Sequence, residues 1–398
     1  MPSTSAIQRR MTRRRLLAAA LTTGAVLPIG LAGPARSAPA TGPARLTLPP
    51  PTGPYPIGTV PLHLVDRGRP NPVAGPSRYR ELMVSVWYPA CATGRHPLTS
   101  WLPDAPMRAL LESAGFDPAV VTAPRTAGHL SAPVRPANGR LPVVVYSHGA
   151  HDHRSDTTIT VQELASHGYA VVTVDHTHDA FTEFPDGRVG VPLDDPALTP
   201  WDFAADIRFV LDRIADLAAG RNPDIEQRPL PAGLGTALDT GRIGVFGWSK
   251  GGTATALAMI GDERIRAGLS IDGPMQSQPP VSGGLDRPFM MMTAEFTRDA
   301  EPSVAEFWSQ LRGWRLNIQA DGAIHSSYCD QQWLLPQLAD VIDMPAERLT
   351  EWIGTLAPAR AVRIQQAYPL AFFDLHLRRR GHLLDRPSTA FPEVRFLA

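Results

Sequence analysis

The chain has 398 residues, 43% hydrophobic and 19% charged, enough to bury one large core. Its 38 basic residues balance its 38 acidic ones, so no excess of positive charge marks a nucleic-acid or other polyanionic partner. Two cysteines, Cys91 and Cys329, permit at most one disulfide, exclude a disulfide scaffold and match no metal motif.

In chain order, residues 1–40 carry six arginines and no acid. Arg13-Arg14-Arg15 precedes an apolar stretch from Leu16 to Leu31, and Ala38-Pro39-Ala40 follows. This order reads as an export signal of the twin-arginine type, cut after Ala40 with Ala38 as the alternative. Thr22, Thr23, Gly24, Pro28 and Gly30 interrupt the apolar run and make it a poor permanent anchor. No later stretch reaches the ~18 consecutive apolar residues of a spanning helix, so any lipid contact is expected to be transient. Removing the signal leaves 32 basic against 38 acidic residues, a net charge of about −6. Arginine supplies every basic residue but one, Lys250.

Residues 41–57 are proline-rich and read as an extended arm laid on a single domain spanning 58–398. Gly58 to Val65 and Glu81 to Pro89 read as strands, the second antiparallel and at a sheet edge. Residues 97–130 contain a short amphipathic helix, PMRALLESAGF, and no strand signal, as in an insertion covering one end of the sheet. From Leu141 the pattern turns regular: strand LPVVVYS, helix VQELASHG, strand YAVVTVDH, and a second insertion at about 176–200. A helix then carries Phe203, Ile207, Val210, Leu211, Ile214 and Leu217 on one face. The runs RIGVF, AGLSID, PFMMMTAEF and RLNIQA complete an alternation of strands and helices. That alternation predicts an α/β fold with a mostly parallel sheet and helices on both faces.

The chemistry concentrates at Gly247-Trp248-Ser249-Lys250-Gly251, a G-x-S-x-G between a buried strand and a helix-forming ATALAMI. That context predicts a nucleophile elbow with Ser249 at its tip. A serine hydroxyl needs a histidine to take its proton and a carboxylate to orient that histidine. His325, His376 and His382 are the histidines after Ser249. His325 follows a strand and the turn DGA, where a base belongs, whereas His376 and His382 flank an arginine run in a C-terminal helix and are expected to be exposed. Asp272 and Glu295 each close a strand and both qualify as the acid. The sharp IDGP turn favours Asp272, and Asp330 reads as the cap of the helix that follows it. The oxyanion donors are expected to be the main-chain N–H groups of Lys250 and of Ala150, in the turn Ser147-His148-Gly149-Ala150. The Lys250 side chain either faces an anionic substrate group or solvates the helix flank.

The segments PTGPYPIGT, VSVWYPA, VVVYSHG, HGYAVVTVDH, GWSKGG, AGLSIDG and AIHSSYCD, with AFFDLHLRRR and FPEVRF, resemble the type-II platelet-activating factor acetylhydrolases among the α/β-hydrolases. The resemblance spans nearly the whole chain after residue 40. It implies Ser249 as nucleophile, Asp272 rather than Glu295 as acid, His325 as base, and Ala150 and Lys250 as oxyanion donors. It further implies hydrolysis of short-acyl esters, including lipid esters, with no cofactor and no metal. Family elbows usually read GHSxGG, and here Trp248 and Lys250 depart from that pattern.

Three other readings compete. A lipase or polyester hydrolase would use the same fold. A metal-dependent hydrolase would draw on His148, His151, His153, His176 and His178 with Asp152 and Asp179, although the H-x-x-H-D-H spacing is off by one from a known dinuclear pattern. A non-catalytic binding protein on the hydrolase scaffold would be expected to lack one member of the triad. On the first reading, His148 supports the oxyanion turn, and His151 and His153 sit at the mouth of the site.

Overall fold

A computed structural model of the chain describes residues 42–136, 139–195 and 197–398. The export-signal reading falls on residues 1–40 and lies outside them. Eleven strands form the main sheet among the described residues. The first six are β1 (Ile57–Asn71), β2 (Gly75–Pro89), β3 (Leu98–Ser100), β4 (Arg125–Leu130), β5 (Leu141–Ser147) and β6 (Ala170–Asp175). The rest are β7 (Leu238–Trp248), β8 (Ile265–Ile271), β9 (Phe289–Thr293), β10 (Arg315–Ala320) and β11 (Val394–Leu397). Their order across the sheet is β11-β10-β9-β8-β7-β5-β6-β2-β1-β4-β3. The six central strands from β10 to β6 pair in parallel, with Val245 of β7 opposite Val145 of β5 and Gly268 of β8.

Every residue of β5 and β6 is buried, because parallel strands between two helical layers meet no water on either face. The main helices are α1 (Asp104–Ser113), α2 (Thr158–Ser166), α3 (Pro200–Ala218), α4 (Lys250–Gly261), α5 (Pro302–Gln310), α6 (Gln331–Val341), α7 (Ala346–Ile353) and α8 (Pro358–Arg378). Helices α3, α4 and α5 bury Phe203, Ile207, Leu257 and Phe307 against one face of the sheet. On the other face, α2 and α8 bury Val161, Leu164, Phe372 and Phe373. The six apolar residues read on the α3 face are all buried, each worth roughly 1.5–3 kcal/mol of transfer free energy. Thr199 starts that helix through a capping box with Asp202, whose carboxylate accepts the Thr199 N–H at 2.7 Å. The architecture is that of an α/β-hydrolase.

Several local expectations need correction. Strand β2 is not at an edge: β6 and β1 flank it, and β4 and β3 lie beyond β1. Residues 97–130 do not merely cover the sheet, since β3 and β4 extend it by two strands. Their polar, proline-flanked sequences carry no alternation because they are short and partly exposed. His376 is packed between Trp314 and Phe372, with ring centroids 4.4 and 4.9 Å away, whereas His382 is exposed. Both cysteines are free thiols, with Cys329 fully buried.

Candidate active site

Ser249 directly follows β7, at the carboxyl edge of the parallel strands where open α/β sheets assemble their sites. Its backbone has φ 55° and ψ −121°, a strained conformation for a residue with a Cβ. The Ser249 N–H donates to the Ile271 carbonyl at 2.8 Å, which pins the turn to the end of β8. A Cβ on Gly251 would collide with the Ser147 carbonyl, so glycine lets α4 start hard against β5. Lys250 is the first residue of α4, and first-turn amides have no acceptor within their own helix.

Asp272 follows β8 and is fully buried. Its Oδ1 accepts the main-chain N–H groups of Ala294 at 2.7 Å and Phe296 at 3.0 Å. Oδ2 accepts the Glu295 N–H at 3.2 Å and lies 2.6 Å from His325 Nδ1. The carboxylate thus fixes the imidazole through one nitrogen and leaves Nε2 as its proton acceptor. Glu295 plays a different part: its Oε1 accepts the His325 main-chain N–H at 3.3 Å. The two acids left open by the sequence therefore divide, Asp272 on the ring and Glu295 on the backbone.

Trp248, the departure in the elbow, contacts His325 twice. The rings lie 4.7 Å apart at 31°, and Trp248 Nε1 donates to the His325 carbonyl at 2.9 Å. Phe296 meets the same imidazole edge-on at 5.2 Å. Space for the indole comes from Gly149, where a Cβ would run into the Trp248 ring. This stacking brings His325 beside the residue preceding Ser249.

The opposite wall is the turn after β5. His148 and His176 are completely buried, and burial, reinforced for His148 by its neighbour His176, holds both imidazoles down to about 4. His148 Nε2 accepts the His176 N–H at 3.0 Å, so its Nδ1 carries the proton toward the Gly149 carbonyl at 2.6 Å. His176 stacks on Phe203 at 3.6 Å and bridges Ser147 Oγ at 2.8 Å and Asp206 Oδ2 at 3.0 Å. Asp206 also pairs with Arg80 at 2.6 Å and Arg69 at 2.7 Å. Burial alone would raise the Asp206 carboxyl, but Arg80 and His176 outweigh it and hold it well below the usual range.

These histidines do not converge on a metal. His148 and His176 are spent on main-chain and carboxylate partners, and His178 Nε2 lies 3.1 Å from Asn71 Oδ1. His153 is fully buried with its ring 4.5 Å from Trp101, which corrects its expected place at the mouth of the site; His151 is half-exposed. Among the described residues no group of three or more His, Cys, Asp or Glu side chains is arranged to hold a metal ion.

Two further assignments change. Lys250 neither solvates the helix nor points at open solvent. Its ammonium pairs with the buried Asp179 carboxylate and lies 4.7 Å over the Phe203 ring. Asp330 stands at the N-cap of α6, as expected, but its side chain caps α2 instead, accepting the N–H groups of Thr158 at 2.8 Å and Ile159 at 3.0 Å and the Trp101 indole at 2.8 Å. Burial, against these donors, pushes its carboxyl up to about 8. Sequence reading missed Asp206 and Arg80, and placed Asp179 only among the candidate metal ligands, whereas it pairs with Lys250 and the His151 N–H. The one available signal was a lone lysine beside the elbow, with an aspartate in the loop after β6.

Residues 41–183 match the family described as platelet-activating factor acetylhydrolase, isoform II. The chain is 34% identical to a solved ferulic acid esterase from Streptomyces cinnamoneus, with a TM-score of 0.73, covering 89% of this chain and 99% of that one. It belongs to the type-II platelet-activating factor acetylhydrolases and their related α/β-hydrolase esterases. A probable 1-alkyl-2-acetylglycerophosphocholine esterase of Arthroderma benhamiae is 25% identical over 391 residues, 89% of this family member and 95% of that protein. The platelet-activating factor acetylhydrolase of Cavia porcellus is 23% identical over 223 residues, 48% and 49% of the two chains. A hydrolase of carboxylic esters is what membership supports. No helix among the described residues of this esterase is long and apolar enough to cross a membrane.

Proposed function

We propose that the chain is a serine esterase in which Ser249 is the nucleophile, His325 the general base and acid, and Asp272 the orienting carboxylate. The observation that carries this reading is the 2.6 Å contact of Asp272 with His325 Nδ1, next to an elbow serine at positive φ. Ser249 Oγ attacks the ester carbonyl while its proton moves to His325 Nε2. The Ala150 and Lys250 N–H groups receive the oxyanion, each worth about 3 kcal/mol of barrier. The tetrahedral intermediate collapses, and the alcohol leaves with the proton from His325. Water then repeats the sequence on the acyl-enzyme and releases the acid.

Short-acyl esters, including the 2-acetyl group of an ether phospholipid, are the first substrate reading, because two relatives carry names for that activity. A hydroxycinnamoyl ester is the second, favoured by 34% identity to the ferulic acid esterase. The protein is further proposed to be exported after cleavage at Ala40; a secreted chain beginning at Thr41 is the expected mass, and retention of the intact chain in cells overturns it.

The deciding experiment is hydrolysis of p-nitrophenyl esters from acetyl to palmitoyl, alongside methyl ferulate, by the chain from Thr41 onward. Activity that peaks at acetyl or butyryl supports the first substrate, and preference for methyl ferulate supports the second. A maximum at palmitoyl makes the protein a lipase. Labelling at Ser249 by a phosphonofluoridate, with EDTA without effect, is expected throughout; an unlabelled Ser249 in active enzyme rules the mechanism out.

A further inference from the structure

We propose that Asp179 is the positioning residue of the oxyanion hole, a single carboxylate that clamps together the two segments carrying the donor amides. The proposal deepens the serine-esterase reading above and rests on it. Asp179 lies in the loop after β6 and is 1% exposed. Its Oδ1 accepts the main-chain N–H of His151 at 2.6 Å, one residue beyond Ala150. Its Oδ2 binds the ammonium of Lys250, the residue whose own N–H is the second donor. One carboxylate therefore reaches the Ala150 side of the hole through backbone and the Lys250 side through a charge pair.

Three observations show that this link constrains geometry. His151 has φ 57°, a left-handed conformation that a β-carbon disfavours and that outside contacts must hold. The Asp179 bond to its N–H is such a contact. The loop bearing Asp179 is itself anchored, since the Asp179 N–H donates to the His176 carbonyl at 2.8 Å and the Phe181 N–H to the Asp152 carbonyl at 2.9 Å. The clamp is thus carried on a loop that is itself tied to the segment after Ala150. Lys250 is also confined, with its side chain 15% exposed and its ammonium over Phe203.

Stability alone does not account for the pair. Two charges taken out of water recover their desolvation only with good geometry, and an apolar pair of similar volume often serves a fold as well. What an apolar pair lacks is a hydrogen bond to the His151 amide. The charge on Lys250 also does not serve as a substrate site, because Asp179 neutralises it from within.

The test compares wild type with Asp179→Ala, Asp179→Asn and Lys250→Met, each confirmed as folded by its melting curve. Rates are measured for a p-nitrophenyl ester and for the matching thionoester, whose C=S sulfur fits an oxyanion hole poorly. Asp179→Ala is expected to lower kcat roughly 10- to 100-fold with little change in KM. The oxo-to-thiono rate ratio should fall with it, since a loosened hole discriminates less. A purely structural role would lower both rates together and leave that ratio at the wild-type value.

Asp179→Asn keeps an acceptor for His151 but loses the charge pair, and should lie between the two. Lys250→Met should move the ratio in the same direction. An unchanged ratio in the folded variants overturns the proposal. If Asp179→Ala fails to fold, the near-isosteric Asp179→Asn and Lys250→Met decide the question. Failure of the underlying reading is separable, because wild-type activity that survives Ser249→Ala would remove the serine mechanism whatever the Asp179 variants do.

Discussion

The proposed acid–base wall of the site, around His325, and the proposed oxyanion wall, around Ala150, flank Ser249 but are held by different forces. On the acid–base wall, Asp272 is gripped by three main-chain amides that arrive with the β9 loop. On the oxyanion wall, side chains distant in sequence bury charge against charge: Asp206 with Arg80 and Arg69, Asp179 with Lys250. Main-chain donors survive substitution of the residues that supply them. Charge pairs do not, and removing one member strands the other in a medium where it is costly. The first wall should therefore be brittle only at its reacting residues, and the second at its supports.

The sharpest attempt to break this contrast is on the acid–base wall. Ser249→Ala, His325→Ala and Asp272→Asn are each expected to cut kcat by roughly 10⁴-fold or more, with melting temperature little changed. Glu295→Gln should stay within about tenfold, because it supports only the His325 backbone. If Glu295→Gln is the inactive variant in steady-state assays, the division of labour between the two acids is wrong.

On the other wall the order of effects reverses. Asp206→Ala leaves the buried Arg80 unpaired and should cost about 3–5 kcal/mol in urea unfolding. The molecules that remain folded should still be labelled at Ser249. A smaller effect joins the two walls: Trp248→Phe removes the donor to the His325 carbonyl. Stability should drop by about 1 kcal/mol and kcat roughly fivefold.

The smallest predicted effect concerns pH. His148, His176 and His376 have native values near 4 against 6.5 for an ordinary histidine, in each case through burial. Below pH 6.5 the unfolded chain takes up protons that the native fold refuses, so their contribution is present above 6.5 and lost as pH falls toward 4. Asp330 works against this, being held protonated in the fold up to about 8. Three histidines outnumber it, and a net fall in melting temperature on acidification is expected. His376→Phe removes one contributor together with a buried Nε2 that has no hydrogen-bond partner among the described residues. It should raise the melting temperature at pH 5 by roughly 2 °C and leave activity unchanged, as a pH series of melting curves would show.

The same contrast accounts for what could be read in advance. The elbow, His325 and the favoured Asp272 were legible because each is a local pattern: a strand end, a tight turn, a residue type in a fixed chain order. The buried α3 face was legible from its period. Asp206 was not, because an acid on the buried stripe of an amphipathic helix makes sense only once Arg80 arrives from β2, 126 residues away. Asp330 looked like a cap for its own helix and caps α2 instead, since its side chain turns toward a helix end 172 residues earlier. Strand β4 escaped notice because it borrows its order from β1, its parallel partner, rather than from its own side chains.

The main sheet also has rims. Its outermost strands are β3, with three residues, and β11, with four. Each shields a longer neighbour whose free ladder would otherwise be open to a strand from another molecule. The cover at β11 comes from Val394 to Leu397, pairing antiparallel with Asn317 to Ala320. Deleting 394–398 would uncover the edge of β10, the strand that leads directly into the His325 turn. Loss of this short strand would thus turn the longer ladder of β10 into a template for self-association next to the turn that carries His325.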